Sequence, residues 1–276
     1  MPNLLSKENF SKISEFIYRK SGIHLEDEKH YEKLSKYIDG RSNILGVDGF
    51  RKYFFKLRFD DKDGKEFQEL INAITVNETY FYREKDHFEV LVNTILPELH
   101  NSMPASRVLR ILSAPCSTGE EPYSMVLHIV EEGSIVEQRD IEVVGIDIDS
   151  SVIQKAQIAH YSERSVHAVP KCTLSKYFVK KELGYRLGDE LFGSVDFKIV
   201  NVFDKAQMRS LGKFDVIFSR NMLIYFDDAS RKEVAMTFHD MLNPDGYIFL
   251  GHAEYMSRIV SVFKAKKIDT TLIYQK

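Results

Sequence analysis

The chain has 276 residues with 38 basic and 41 acidic side chains, a formal charge of −3 spread along its length, and this near balance argues against a broad nucleic-acid footprint. With 43% hydrophobic residues it can build a substantial core, as one large domain or two modest ones. MPNLLSKENF carries no basic-then-apolar leader, no apolar run approaches the roughly 20 residues that span a bilayer, and Cys116 and Cys172 form no CxxC pair. A cytosolic protein is expected, with no membrane insertion and no cysteine metal framework.

From Ser6 to about Ile74 the apolar residues recur at helical spacing: Phe10, Ile13 and Ile17, then Tyr31, Leu34 and Ile38, then Phe67, Leu70, Ile71 and Ile74. A small helical domain over residues 1–75 is expected, with Gly22, Gly40, Gly46, Gly49 and Gly64 where helices stop. Lys29, Lys33 and Lys36 fall on one helix away from its apolar residues, which suits either partner contact or a plain solvated face. A linking helix with Phe88, Leu91, Val92 and Ile95 on one face follows.

At Arg107 the pattern changes to strands alternating with helices, the signature of a parallel sheet. Strands are expected at Val108–Ser113, Glu142–Ile146, Asp196–Val202, Phe214–Ser219 and Tyr247–Gly251, with helices near Glu120–Glu132, Ser150–Ala159 and Asp228–Leu242. The stretch Tyr161–Gly193 breaks the alternation and reads as a functional insertion. Phe263–Ile268 and Thr271–Tyr274 read as two strands joined by a tight turn.

The strands of such a sheet deliver their carboxyl ends to a ligand crevice, and here those ends are polar. The loop Ser117–Pro122 has one glycine and two carboxylates, Glu120 and Glu121, so it would repel phosphate and suits a cationic or hydroxyl-rich ligand. An acidic helix start favoured by the helix dipole is the bland alternative for Glu120. Asp147 ends the second strand of the sheet, where a carboxylate can accept both hydrogen bonds of a ribose diol, although no GxGxxG loop favours a dinucleotide. Asp149 and Ser150 read as helix caps. Asn201 and the pair Arg220-Asn221 follow the next two strands, with ordinary turn asparagines as the competing reading. The nine histidines show no HExxH or paired spacing, so no metal site is expected.

With NETYFYRE at Asn77–Glu84, STGEEPYS at Ser117–Ser124, then GIDID, VNVFD, RNMLIYF and PDGYIFLGHAE in that order, the chain resembles the CheR family of chemotaxis receptor methyltransferases. The resemblance implies an α/β protein: an N-terminal helical domain over 1–75, then a Rossmann-like class I methyltransferase domain over 76–276, with a small antiparallel β-subdomain inserted at 161–193. It implies S-adenosyl-L-methionine as cofactor, S-adenosyl-L-homocysteine as product, and methyl ester formation on glutamate side chains of the cytoplasmic domain of chemoreceptors. By the motifs, Asn77, Thr79, Arg83, Glu121, Asp147, Asn201, Val202, Arg220 and Asn221 would contact the cofactor, and Arg83 and Tyr225 would face the methyl-transfer centre. Lys29, Lys33 and Lys36 would meet the receptor, a receptor-tail peptide would dock on the β-subdomain, and the protein would act as a monomer. Ala253 replaces the serine usual in the family's GHSE-like segment. A methyltransferase with another acceptor, or a non-catalytic S-adenosylmethionine-binding scaffold, is the alternative. A glutamate with a reference pKa of about 4.3 is already an anion at neutral pH, so a dedicated base is not needed.

Overall fold

The structure, a computed structural model, describes residues 5–25, 28–104, 106–132 and 139–276. Helix α1 (Lys7–Ser21) begins where the Ser6 hydroxyl accepts from the Asn9 amide and ends at Gly22 in the left-handed region, φ 73°. Together with α2 (Glu28–Ile44), α3 (Phe50–Phe55), its π-helical continuation Lys56–Asp60, and α4 (Lys65–Ile74), it buries Ile13, Ile17, Leu34, Ile38, Tyr53 and Ile71 in one apolar cluster. Arg41 donates from Nε to both Glu66 oxygens, at 3.1 and 2.9 Å, and ties α2 to α4. Three glycines depart from expectation. Gly40 lies inside α2, where packing of Leu34 and Ile38 offsets a propensity cost of about 1 kcal/mol, and Gly49 and Gly64 precede helices instead of ending them.

The linking helix is a continuous rod of α5 (Lys85–Val90), a π-helical turn Leu91–Ile95 and α6 (Leu96–Ser102), and it buries Phe88, Leu91, Val92 and Ile95 as its periodicity requires. The elements that follow in order are β1 (Leu109–Ser113), α7 (Glu120–Glu132), β2 (Ile141–Asp147), α8 (Ser150–Ile158), β3 (His160–Tyr161), α9 (Lys171–Tyr177), β4 (Phe178–Lys181), β5 (Gly184–Leu187) and β6 (Val195–Ile199). Then come α10 (Lys205–Ser210), β7 (Phe214–Ser219), α11 (Asp228–Met241), β8 (Leu242–Leu250), β9 (Lys264–Ile268) and β10 (Thr271–Gln275).

Seven strands form one sheet in the order β6-β2-β1-β7-β8-β10-β9. The first five run parallel, with Ile111 opposite Val143 and Val216, and β10 and β9 close the edge antiparallel. Helices cover both faces, so neighbours in one strand serve different cores: Ile111, Val143 and Val216 on one side, Leu112, Val144 and Ile217 on the other. From β1 the chain moves outward to β2 on one side and, later, to β7 on the other, which opens a crevice at the strand carboxyl ends between them. Strand β6 is shorter than its apolar run: it ends at Ile199 because Asn201 turns the chain, its Oδ1 accepting from the Phe203 amide at 3.0 Å.

The break in alternation is a separate three-stranded antiparallel sheet in the order β3-β5-β4. Gly184 holds its hairpin at φ 112°, where a Cβ would lie 2.1 Å from the Tyr161 carbonyl oxygen. No other residue fits there. Among the described residues no helix is long and apolar enough to cross a membrane.

Candidate functional site

Two adjoining cavities occupy the crevice and share Val76, Asn77, Pro115, Asp147, Asn221 and Tyr225. The inner one, about 100 Å³, is mainly apolar and takes part of its wall from the helical layer through Ile23, Leu25 and Ile74. The outer one, about 240 Å³, holds Thr79, Arg83, Ser117, Glu121 and Arg220.

The helical layer closes the inner cavity because it is hydrogen-bonded to the strand-end loops. The His24 amide donates to the Tyr225 carbonyl at 3.0 Å, the Tyr18 hydroxyl to Asp227 at 2.9 Å, and Asn201 Nδ2 to the Lys20 carbonyl at 2.7 Å. At Gly22 a Cβ would lie 2.7 Å from Phe203 and 2.8 Å from Phe226, so the end of α1 seats only as glycine. A second set of bonds runs from α4 to β2 and α8: Gln68 to the Ile148 carbonyl, Asn72 to Ser150, and Thr75 and Asn77 to Asp149 Oδ2, both at 2.7 Å. Lys33, one of the three lysines singled out for partner contact, also donates to the carbonyls of Ile74 and Thr75 at 3.1 and 3.0 Å. Lys29, Lys33 and Lys36 are all exposed.

Asp147 is buried at the junction of the cavities. Its Oδ2 accepts from the Ser117 amide and its Oδ1 from the Asp149 amide, both at 2.9 Å. Burial pushes its pKa up to about 6 against the pull of those amides. Asp149 is the cap of α8 as expected, its Oδ1 accepting from the Ser151 and Val152 amides, while its other oxygen joins the helical layer. Asn201 and Val202 line the inner cavity, although Asn201 already uses its amide nitrogen and oxygen in structural bonds.

The outer cavity is organised by a buried guanidinium. Arg220 donates from Nε to Glu84 at 3.1 Å, has Nη1 3.2 Å from Glu121, donates from Nη2 to the Arg83 carbonyl, and lies over the Phe88 ring. Glu121 also accepts from Ser113 Oγ at 2.7 Å; burial raises its pKa while Arg220 opposes that rise. Arg83 sits between two left-handed residues, Tyr82 at φ 63° and Glu84 at φ 54°, and its Nη1 donates to the Glu78 carbonyl at 2.9 Å. Tyr225 is half-buried between both cavities, its pKa raised by burial and opposed by Arg83. Asn77, Thr79 and Asn221 complete the lining, so every site residue expected from the motifs borders one cavity or both.

Two acidic residues with structural leverage on this site were not singled out in the sequence. Glu254 is buried and accepts from the amides of Asn221, Leu223 and Gly251 at 2.8, 2.8 and 3.0 Å, which fixes the loop that carries Asn221 and Tyr225. Its position in the GHAE segment was the available signal. Glu84 is the second, and with His87 and His252 it forms a cluster that no motif spacing announces. Burial and Arg220 lower the pKa of His87 to about 4, so it is neutral.

A doubly wound sheet with a roofed crevice and an acidic residue after its second strand defines a nucleoside-binding α/β protein. Residues 77–272 match the CheR methyltransferase SAM-binding domain and residues 8–75 the CheR methyltransferase all-alpha domain. The chain belongs to the CheR methyltransferase family, and S-adenosylmethionine is its cofactor. It is 42% identical over 274 residues to chemotaxis protein methyltransferase 2 of Vibrio cholerae serotype O1, spanning 99% of this chain and 94% of the relative. The chemotaxis protein methyltransferase of Salmonella typhimurium is 34% identical over 95% of this chain and 88% of its own length. That of Borreliella burgdorferi is 35% identical over 91% of this chain and 89% of its own.

Proposed function

We propose that this methyltransferase is a protein-glutamate O-methyltransferase that esterifies glutamate side chains on the cytoplasmic domain of chemoreceptors. The observation that carries the reading is the pairing of Arg83 with Tyr225 around the outer cavity. A carboxylate acceptor needs orientation more than deprotonation, and a guanidinium fork beside a hydroxyl supplies that orientation. The Cys116 thiol, which also borders this cavity, is buried and held protonated by desolvation, so it is no nucleophile.

The residues fit the cofactor. Ser117 Oγ borders the outer cavity, is buried, and has no hydrogen-bond partner, as suits a group awaiting the polar end of an amino acid. S-adenosylmethionine supplies the activated methyl group. Asp147 would accept from its ribose hydroxyls, Glu121 would face its ammonium group, and Arg220, Asn77, Thr79 and Asn221 would border its amino-acid portion. Asn201 and Val202 would wall the base. Arg83 would align the incoming carboxylate and Tyr225 would shield the reacting centre from water.

On this reading residues 1–75 and 76–276 are two domains, with 161–193 an inserted β-subdomain in which β4 is an edge strand, and a receptor-tail peptide would dock on that subdomain. The protein would work as a cytoplasmic monomer. Transfer of labelled methyl from S-adenosylmethionine to a receptor fragment, followed by release in mild base, tests the chemistry. Label that stays on the fragment in base overturns the ester assignment.

A further inference from the structure

A polar groove outside the methyl-transfer centre has no assigned role. One wall is the segment Asn77–Tyr80 and the other contains Ser162, Arg164, Ser165 and His167. The groove runs on from the outer cavity, because Asn77–Tyr80 border both.

We propose that this groove is the docking track for an acidic stretch of the substrate polypeptide around the methylated side chain, and that Arg164 recognises its charge. The proposal rests on the carboxylate-methyltransferase reading above. Its walls are set before any partner arrives: the Phe81 amide donates to the Ser165 carbonyl at 2.9 Å, and the Tyr80 and His167 rings lie 4.9 Å apart. His167 Nδ1 lies 2.7 Å from the Arg164 carbonyl, which anchors the backbone while leaving the Arg164 side chain 87% exposed.

That side chain lies 3.3 Å from the Glu78 carboxylate, itself 73% exposed. An ion pair so open to water is worth about 0–1 kcal/mol, so exchanging Glu78 for a substrate carboxylate costs little. Glu78 also gives its backbone carbonyl to Arg83. The two arginines thus both meet Glu78, Arg83 at its backbone carbonyl and Arg164 at its carboxylate. An acceptor with one carboxylate at Arg83 and a second acidic group nearby matches this spacing of charge. Glu163, the other acid of the turn, is paired with Lys180 and leaves Arg164 uncompensated apart from Glu78. The serine, threonine and tyrosine side chains of the lining offer hydrogen bonds to a peptide laid along it.

The test is steady-state methylation of a chemoreceptor cytoplasmic fragment that the wild-type protein modifies. Arg164→Glu should raise KM for the fragment about tenfold, steepen with falling salt, and leave both turnover at saturation and cofactor Kd unchanged. The effect should fall below twofold on a fragment whose acidic residues beside the methylated glutamate are changed to glutamine. Glu78→Gln frees Arg164 while keeping the carbonyl that holds Arg83, and should lower KM. An unchanged KM in Arg164→Glu, an equal rise on the neutralised fragment, or a higher KM in Glu78→Gln overturns the proposal. If the wild type modifies no fragment, or its product is stable to base, the reading of the site itself has failed, whereas normal wild-type turnover with an indifferent Arg164→Glu fails the groove alone.

Discussion

The inner and outer cavities share Asp147 and Tyr225 yet follow opposite physical plans. The inner cavity is apolar and assembled across the two halves of the chain, so its shape depends on how closely α1 seats against Phe203 and Phe226. The outer cavity is charged and built around Arg220, so its shape depends on whether the flanking carboxylates keep their partner. Packing faults should therefore appear in cofactor affinity, and electrostatic faults in stability and turnover.

The largest effect belongs to Arg220→Met. It leaves Glu84 and Glu121 without their buried cation, a change that typically costs about 3–5 kcal/mol. Urea unfolding should show that loss at neutral pH and a smaller one in acid, because burial already favours the neutral form of Glu121 and falling pH protonates it. A loss under about 1 kcal/mol would mean that the outer cavity does not rest on this charge cluster.

Next is Asp147→Asn at the junction. Replacing a charged acceptor should weaken cofactor binding by about 1.5–3 kcal/mol per hydrogen bond lost, measured by calorimetry. Because the folded pKa is raised to about 6, the apo protein keeps this carboxyl protonated up to a higher pH than an ordinary carboxylate. Its contribution to apo stability is complete below the ordinary carboxylate range and is lost as pH rises through about 6. Cofactor affinity, which needs the anion, should strengthen over that same window in the wild type and stay flat in Asp147→Asn.

A smaller loss is expected for Gly22→Ala, where left-handed backbone costs about 1–2 kcal/mol and two rings must shift. Cofactor Kd should rise while turnover at saturation holds. Equal damage to both would erase the distinction between the cavities. Smallest is Tyr225→Phe, which removes one hydroxyl worth about 1 kcal/mol. Single-turnover methyl transfer should slow several-fold at unchanged Kd, and an unaltered rate would make Tyr225 a packing residue.

The strand-end residues were legible because a parallel sheet covered on both faces needs unbroken apolar strands, and Phe214–Ser219 or Ile141–Asp147 declare themselves by composition. The polar residues that follow them must then lie on one rim. The helical periodicity of residues 10–74 and the broken alternation before Gly193 were legible for the same reason: burial of one face dictates local pattern. Gly40 misled because a lone glycine costs a helix only about 1 kcal/mol, less than the neighbouring core returns.

What the sequence by itself determined, then, was the set of elements, the family motifs and the rim on which Asp147, Arg220 and Tyr225 fall. Only the tertiary structure decided that α1 and α4 roof the crevice, that Lys33 is taken up by carbonyls, and that Glu254 and Glu84 hold the residues that border it. The physical reason is range: periodicity reports which face a residue turns toward the core, whereas a carboxylate meets its amide or guanidinium across 33 or 136 residues of chain, a separation on which local pattern carries no information.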